Sequence, residues 1–158
     1  MKKFILTLFV VAGLFTGSLL AQTDKGTVLL GGDVTFQTSD GTSLFTASPN
    51  VGLFLMDDVA LTAAFSWFSA ENTSSWALGP GIRLYLFGNE RGKFISQVGF
   101  NIGGAKGSDT DLGVDLAAGW AFFLNEHTAL ELIAKYRKTG DVKGIFTIGA
   151  GFQIHYHK

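Results

Sequence analysis

After residue 21, apolar residues alternate along the chain with small or polar ones, with a period of two. In the stretch VALTAAFSW the apolar parity is made of Val59, Leu61, Ala63, Phe65 and Trp67. A β-strand projects successive side chains to opposite faces, so this pattern predicts a strand. It recurs near residues 27–37, 43–55, 75–87, 93–104, 111–124, 128–137 and 144–156. The chain is therefore expected to contain eight strands.

The segments between these strands have the composition of turns. They are TSDGT (38–42), MDD (56–58), ENTSS (71–75), GNERG (88–92), AKGSDTD (105–111), NEH (125–127) and KTGDVKG (138–144). In residues 51–66, VGLFLMDDVALTAAFS, a single helix would have to bury Asp57 and Asp58 or lose its apolar face. We therefore place both aspartates at the tip of a hairpin.

One segment has two interpretations. Residues 126–138, EHTALELIAKYRK, could form a helix with Asn125 as its N-cap and Gly140 as its stop. The alternation of Leu130, Leu132 and Tyr136 with charged residues favours a strand instead. An even number of strands also closes an antiparallel barrel.

The first residues resemble a secretory signal peptide. Two lysines precede an apolar run from Phe4 to about Phe15, and small residues follow. We expect cleavage after Ala21, with a cut after Ser18 as the alternative. The apolar run is shorter than the roughly 20 residues of a membrane-spanning helix. The predicted organisation is a signal peptide over 1–21 and one barrel domain over 22–158.

Side-chain volume indicates which face of the barrel points outward. The lumen of an eight-stranded barrel holds little more than its own side chains. The bulky parity cannot fit there, whereas the other parity is rich in glycine and has Phe54 and Tyr85 as its large exceptions. We therefore expect an outward apolar surface, which suits a bilayer. Aromatic girdles are predicted at its two edges from Phe36, Phe45, Trp67, Trp76, Phe122, Tyr136, Phe146 and Tyr156.

The run SPNVGLFLMDDVALTAAFSW, residues 48–67, resembles the small outer-membrane β-barrel proteins of the OmpA/OmpX-like superfamily. The shared features are a proline, a glycine-aromatic pair, a short acidic turn and a second alternating strand. The resemblance implies an all-β fold, an eight-stranded antiparallel up-and-down transmembrane barrel in a Gram-negative-type cell outer membrane. Outer-membrane lipids and the outer-membrane assembly machinery are the implied partners. Pro49 and Pro80 lie inside strands, where we expect a bulge or local distortion.

Six charged residues fall on the inward parity, three acidic and three basic: Asp33, Arg83, Asp115, Glu131, Lys135 and Arg137. With residues 125–127 as a turn, Asp115 lies opposite Arg137, and Lys135 lies on a diagonal. Unpaired charges in a narrow lumen would cost several kcal/mol each, about the desolvation penalty of a buried ion. We interpret the set as a structural salt-bridge network that plugs the lumen. The alternative is a path for ions or protons.

Other chemistry has little support in the sequence. His155 and His157 share a parity, but no third metal ligand is evident. Asp109, Asp111 and Asp115 do not have EF-hand spacing. Cysteine is absent, and there is no GxSxG motif of a serine nucleophile. The net charge of −1 does not indicate the basic surface that binds nucleic acid. We expect no metal, cofactor or catalytic residue, and no nucleic-acid partner.

The sequence thus predicts a monomeric, non-enzymatic outer-membrane barrel with a plugged lumen and a structural or envelope role. The short loops predicted around 38–42, 71–75, 105–111 and 138–144 do not indicate a host-binding surface. One alternative is a transporter or narrow channel for small or hydrophobic solutes, with a lateral exit near Gly79-Pro80-Gly81. A lipid-modifying barrel enzyme and a soluble secreted barrel are further alternatives.

Overall fold

The computed structural model describes residues 22–39, 42–70, 73–105, 110–140 and 144–157. The predicted signal peptide therefore lies outside the described residues. Within the described residues, eight β-strands follow one another, as the alternation predicted. They are β1 (Val28–Ser39), β2 (Thr42–Met56), β3 (Val59–Ala70), β4 (Thr73–Asn89), β5 (Gly92–Ala105), β6 (Asp111–Asn125), β7 (Thr128–Thr139) and β8 (Ile145–Tyr156).

Each strand pairs antiparallel with its neighbours in sequence, and β1 pairs with β8, so the sheet closes into a barrel. The prediction of a strand rather than a helix over 128–137 is confirmed by β7. Within the described residues, no helix is long and apolar enough to span a membrane.

The two ends of the barrel differ in their connections. At one end, here called the turn end, two-residue turns at 57–58, 90–91 and 126–127 join the strands. Asp57 and Asp58 form the first of these turns, as predicted, and Asp58 has a φ of 63°. Aspartate tolerates this left-handed conformation better than most residues do. The other end, here called the loop end, carries the connections between Ser39 and Thr42, Ala70 and Thr73, Ala105 and Asp111, and Thr139 and Ile145.

Neither proline has a bulge, but the expected local distortion is present as an interruption of the strand pairing beside each of them. Gly32 pairs with Pro49 and Ala63 pairs with Pro80, and the register is the same on both sides. The register shifts instead lie near the turn end, between Phe54 and Met56, between Tyr85 and Gly88, and between Phe123 and Asn125. On the other side of each proline the strand pairing is interrupted. The β2–β3 pairs begin only at Asn50, after Pro49, and the β4–β5 pairs skip from Leu78 to Gly81, across Pro80. An unpaired strand edge can accommodate proline, which has no backbone N–H to donate to a neighbouring strand.

The bulky apolar parity faces outward. Leu, Ile, Val, Phe and Trp side chains on all eight strands are exposed, among them Leu30, Val51, Leu61, Leu78, Phe100, Leu116, Leu132 and Ile148. The inward parity is small or polar, apart from an apolar cluster that is described below. This is the reverse of a barrel that folds in water, whose large apolar side chains fill the interior.

Glycine is needed where neighbouring strands come closest. A Cβ at Gly119 would meet the backbone oxygen of Leu132, and one at Gly149 would lie 2.5 Å from the backbone oxygen of Val34. Both distances are far inside van der Waals contact. Glycine is therefore required at these positions by the close approach of the neighbouring backbone, and not only by the small volume of the lumen.

Aromatic residues lie near both ends of the barrel. At the loop end, Trp67 pairs with Trp76 and Tyr136 pairs with Phe146, all four with exposed side chains. At the turn end, Phe87 stacks on Phe94 with ring centroids 4.9 Å apart, and Trp120 lies across this pair. Phe122 and Tyr156, the two turn-end positions predicted for the girdle, are exposed. Phe36 and Phe45 pair through their backbones, but their side chains lie outside the described part of the structure.

Candidate functional site in the barrel lumen

An ion pair between β4 and β7 crosses the middle of the lumen. Nη1 of Arg83 donates to Oε1 and Oε2 of Glu131 at 2.9 and 3.1 Å. Both side chains are almost fully buried, with 3% and 0% exposure. Nε of Arg83 donates to Gln97, and Gln153 donates to Glu131. Because both charges have further hydrogen-bond partners, the desolvation penalty of this buried pair is largely compensated.

Toward the turn end, the lumen below this pair is filled by apolar side chains. We call them the turn-end cluster: Leu29, Phe54, Ala60, Tyr85, Ile95, Ala121, Phe123, Ala129 and Ile133. Phe54 and Tyr85 are each 1% exposed, and their rings lie 5.5 Å apart. The hydroxyl of Tyr85 contacts Glu131 and Nε2 of His155 at 3.5 and 3.4 Å. Tyr85 thus joins the ion pair to the cluster.

The chain before β1 closes the turn end. The side chain of Gln22 donates to the carbonyl oxygen of Asn125 at 3.0 Å, and the hydroxyl of Thr23 donates to Asp58 at 2.6 Å. Lys93 contacts both Thr23 and Asp58, at 2.8 and 2.6 Å. Residues 22–27 therefore lie across the mouth of the barrel, with Gln22 and Thr23 buried.

The other half of the lumen, toward the loop end, contains a cavity of about 460 Å³, here called the loop-side cavity. Two ion pairs line it. Nζ of Lys135 lies 2.5 Å from Oδ1 of Asp33. Arg137 donates two hydrogen bonds to Asp115, at 2.7 and 3.0 Å. Asn101 donates to Asp115 as well and accepts from Thr139.

Four buried polar atoms have no hydrogen-bond partner within the described part of the chain: Asp33 Oδ2, Asn50 Oδ1, Gln153 Oε1 and His155 Nδ1. Of these residues only Asp33 lines the loop-side cavity. A buried polar atom without a partner is costly, so each one calls for an explanation.

The structure brings the six predicted charged residues together as three pairs. Asp115 lies opposite Arg137 in the β6–β7 register, as the turn at 125–127 indicated. Lys135 does not use its diagonal neighbour; it reaches across to Asp33 on β1. That contact follows from the closure of the barrel, because β7 and β1 are separated by β8.

The residues considered for metal binding have other surroundings. His155 is buried against the rings of Phe54, Tyr85 and Phe123. Nδ1 of His157 lies 3.1 Å from the hydroxyl of Thr27. Among the residues that the structure describes, there is no group of three or more histidine or acidic side chains able to hold a metal ion. Asp109 lies outside those residues.

The turn-end cluster and the role of residues 22–27 were missed by the sequence analysis. Phe54 and Tyr85 were noted only as exceptions to the small parity. The available signal was that Phe54 and Tyr85 lie on the inward parity of their strands, as do the large apolar residues Leu29, Phe123 and Ile133. Nothing in the sequence before Val28 indicates that residues 22–27 lie across the turn end of the barrel.

Solved structures similar to this fold are outer-membrane and transmembrane barrels. The N-terminal β-barrel domain of Pseudomonas aeruginosa OprF has a TM-score of 0.65 and 14% sequence identity, with 84% of this chain and 98% of that chain covered. The chain has the fold of the small outer-membrane β-barrels. Neisserial surface protein A has a TM-score of 0.62 at 15% identity, covering 82% of this chain and 96% of its own.

A third similar structure is the outer membrane protein OprG from Pseudomonas aeruginosa, with a TM-score of 0.58, 15% identity, and coverage of 87% and 99%. No protein-family model and no curated protein sequence matches the chain. The likeness is therefore one of fold, carried by strand number, closure and size. The resemblance to small outer-membrane barrels that was seen in residues 48–67 agrees with it.

Proposed function

We propose that the chain is an integral, monomeric protein of the cell outer membrane whose plugged lumen does not act as a general porin. The observation that carries this proposal is the inverted distribution of side chains. Large apolar residues cover the outside of a closed barrel, and six charged residues lie in three pairs inside. In water such a belt would aggregate, whereas lipid tails solvate it. Export by a cleaved signal peptide over residues 1–21 is part of the same proposal.

Three successive features support a lumen that does not conduct. The Arg83–Glu131 pair spans its middle, the turn-end cluster fills the space below, and residues 22–27 cover the turn end. An ion would have to displace all three. The barrel then serves a structural or envelope role, with outer-membrane lipids and the outer-membrane assembly machinery as its partners.

A narrow transporter is the second candidate, and a specific feature favours it. The β4–β5 pairs skip Gly79 and Pro80, and the same two residues line the loop-side cavity together with Gly99 and Phe100. At this point the wall of the cavity lacks side-chain bulk at its glycines, and the pairing between β4 and β5 is interrupted. A hydrophobic solute could leave the lumen there and enter the surrounding lipid.

We also infer that the protein is not an enzyme and needs no cofactor. The histidines that could have served a lipid-modifying reaction have structural contacts. His155 packs against rings of the turn-end cluster, and the backbone oxygen of His155 contacts Nδ1 of His127 at 3.2 Å. Lipid A analysis of cells with and without the protein tests this inference. A change in lipid A that depends on His127 or His155 would contradict it.

Two measurements test the main proposal. Membrane fractions are run on gels with and without heating, because a closed barrel in the envelope migrates differently after it is unfolded by heat. Purified protein is then added to planar bilayers. We expect heat-modifiable migration and no stable channel. Recovery in the soluble fraction would refute the membrane assignment, and a steady large conductance would refute the plugged lumen.

A further inference from the structure

We propose that the wall of the loop-side cavity opens into the lipid between β2 and β3, and that a solute with one alkyl chain and an uncharged polar head passes there. This inference deepens the second candidate function and rests on it for the kind of solute, but it places the route at a different seam from the β4–β5 interruption. The supporting observations are the short pairing between β2 and β3, the lining of the cavity at that point and the apolar surface outside it.

The pairing between β2 and β3 stops short of the loop end. The last pair joins Asn50 to Ala64, although both strands continue beyond it. Within the described residues this ladder has six pairs, whereas each of the other seven ladders has nine or more. We call the unpaired stretch, residues 42–49 beside residues 65–70, the β2–β3 seam. At the β4–β5 interruption, in contrast, pairing resumes at Leu78.

Pro49 is the physical reason why this ladder stops. Proline has no backbone N–H to donate. Its pairing with Gly32 on β1 is kept, whereas the pairing toward β3 ends beside it, so the missing donor falls on the β3 side. The pairs between β1 and β8 also end before the loop end, at Phe36. The loop-end part of the β1–β2 hairpin is therefore held chiefly by its own pairing and can move away from β3.

Two serines hold the seam closed. Ser48 and Ser66 stand opposite each other when the β2–β3 register is continued, and their hydroxyl oxygens lie 3.0 Å apart. Such a contact contributes about as much as one ordinary hydrogen bond, which a transient opening can break. Both serines line the loop-side cavity, together with Thr46 of β2. Parting of the two strands at this contact therefore joins the cavity to the outside of the barrel.

The outer surface at the seam is apolar. Ala47 and Pro49 are exposed on β2, and Phe65 and Trp67 are exposed on β3. Trp67 lies in the loop-end girdle, so the end of the ladder, which is nearer the middle of the barrel, faces the hydrocarbon. An unpaired backbone group is costly there, because lipid offers no hydrogen-bond partner. A solute whose head bonds these groups and whose tail stays in the lipid therefore stabilises the open seam.

The chemistry of the seam favours an uncharged head. Residues 42–49 and 65–70 include no charged residue. On the cavity side the seam presents the hydroxyls of Thr46, Ser48 and Ser66, and a hydroxyl both donates and accepts hydrogen bonds. An ionised head would lose its hydration at the seam without meeting an opposite charge. An alcohol, amide or imide head with one alkyl chain fits these groups.

The test measures whether a reagent confined to the lipid reaches the cavity. Ala117 of β6 lines the cavity, and Ala117→Cys supplies a single thiol in a chain that has no cysteine. The folded variant is reconstituted in vesicles that contain N-octadecylmaleimide, which has an uncharged head and one alkyl chain. A short water-soluble maleimide, used on a second sample, reports entry from the loop end. Labelling is followed by mass, in barrels whose heat-modifiable migration shows that they are closed.

We expect N-octadecylmaleimide to label Ala117→Cys, and two further substitutions to change the rate in opposite directions. Pro49→Val supplies an N–H toward β3 and should slow the labelling about fivefold or more, the change that corresponds to one added hydrogen bond in the closed wall. Ser48→Ala removes the contact across the seam and should speed the labelling. Neither should alter labelling by the water-soluble reagent. Pro80→Val, made at the β4–β5 interruption, is the control and should leave both rates unchanged.

The proposal is overturned if Pro49→Val and Ser48→Ala leave labelling from the lipid unchanged, and Ser48→Ala decides alone if Pro49→Val does not fold. If Pro80→Val slows the labelling instead, the solute leaves between β4 and β5. The transporter candidate then survives and this inference fails. Absence of labelling from the lipid, with a thiol that reacts in urea, contradicts both.

Discussion

Arg83 and Glu131 form a two-oxygen contact at 2.9 and 3.1 Å across the lumen, although their strands, β4 and β7, are not neighbours in the sheet. The pair therefore ties opposite walls of the barrel together. Removal of one partner leaves the other charge buried and unpaired. In proteins this costs about 3–5 kcal/mol.

Arg83→Ala should accordingly lower the free energy of unfolding by about 3–5 kcal/mol without producing a channel. The turn-end cluster still fills the lumen below the missing guanidinium. Urea unfolding in lipid vesicles measures the first effect, and planar bilayer recordings measure the second. Arg91→Ala, in an exposed turn, is the matched control and should change neither. A large new conductance in Arg83→Ala would show that the ion pair alone closes the lumen.

Phe54→Ala should destabilise the barrel about as much as a core substitution in a soluble protein, by about 3–5 kcal/mol. Phe54 is 1% exposed and packs on Tyr85, so its removal leaves a cavity in the turn-end cluster. Phe146→Ala is the control, because the outward side chain of Phe146 is 63% exposed. Equal losses in the two variants, measured by urea unfolding, would mean that the cluster is not a packed core.

Residues 22–27 should be released when the contacts of Asp58 are weakened. Asp58→Asn keeps a residue that tolerates the positive φ and removes the charge that pairs with Lys93. We expect faster amide hydrogen exchange at Thr23 and Gly26 with little change in the strands. Glu90→Gln, an exposed charge change in the neighbouring turn, should have no such effect. Unchanged exchange in Asp58→Asn would show that this contact does not hold the segment.

Gly119→Ala should prevent closure of the barrel, whereas Gly151→Ala should be tolerated. A Cβ at Gly119 would collide with the backbone oxygen of Leu132, which cannot move without breaking the β6–β7 pairing. At Gly151 the nearest atom is 3.3 Å away and belongs to the side chain of Glu131. The yield of heat-modifiable barrel after refolding separates the two cases. Similar yields would contradict the close approach at Gly119.

Most of the architecture could be predicted because it depends on local patterns. The period of two located the strands, and turn residues such as Asp57 and Asp58 located their ends. The volume argument then predicted the outward parity. The turn predicted at 125–127 also gave the correct partner of Asp115. The turn itself has two residues, and the register shift between Phe123 and Asn125 restores the pairing of Asp115 with Arg137.

The remainder depends on how distant strands meet when the sheet closes. Lys135 pairs with Asp33 only because β1 and β8 join, which no local pattern encodes. The turn-end cluster likewise combines residues of seven strands, β1 to β7, so that Phe54 and Tyr85 looked like isolated exceptions in the sequence. At Pro49 and Pro80 the expected distortion is an interruption of the pairing on one side, and neither proline has a bulge.

The central claim is that bulky apolar side chains face lipid while their small or polar neighbours face the lumen. The chain has no cysteine, so single cysteines can carry a nitroxide label at adjacent positions on four strands. The outward sites are Leu78, Val98, Leu116 and Ile148, and the inward sites are Ala77, Gln97, Ala117 and Thr147. Collision of the label with oxygen, which concentrates in lipid, is then compared with collision with a water-soluble nickel chelate in reconstituted vesicles. The account predicts high oxygen accessibility at all four outward sites and low accessibility at their inward neighbours. Reversed accessibility, or the absence of any alternation, would contradict it.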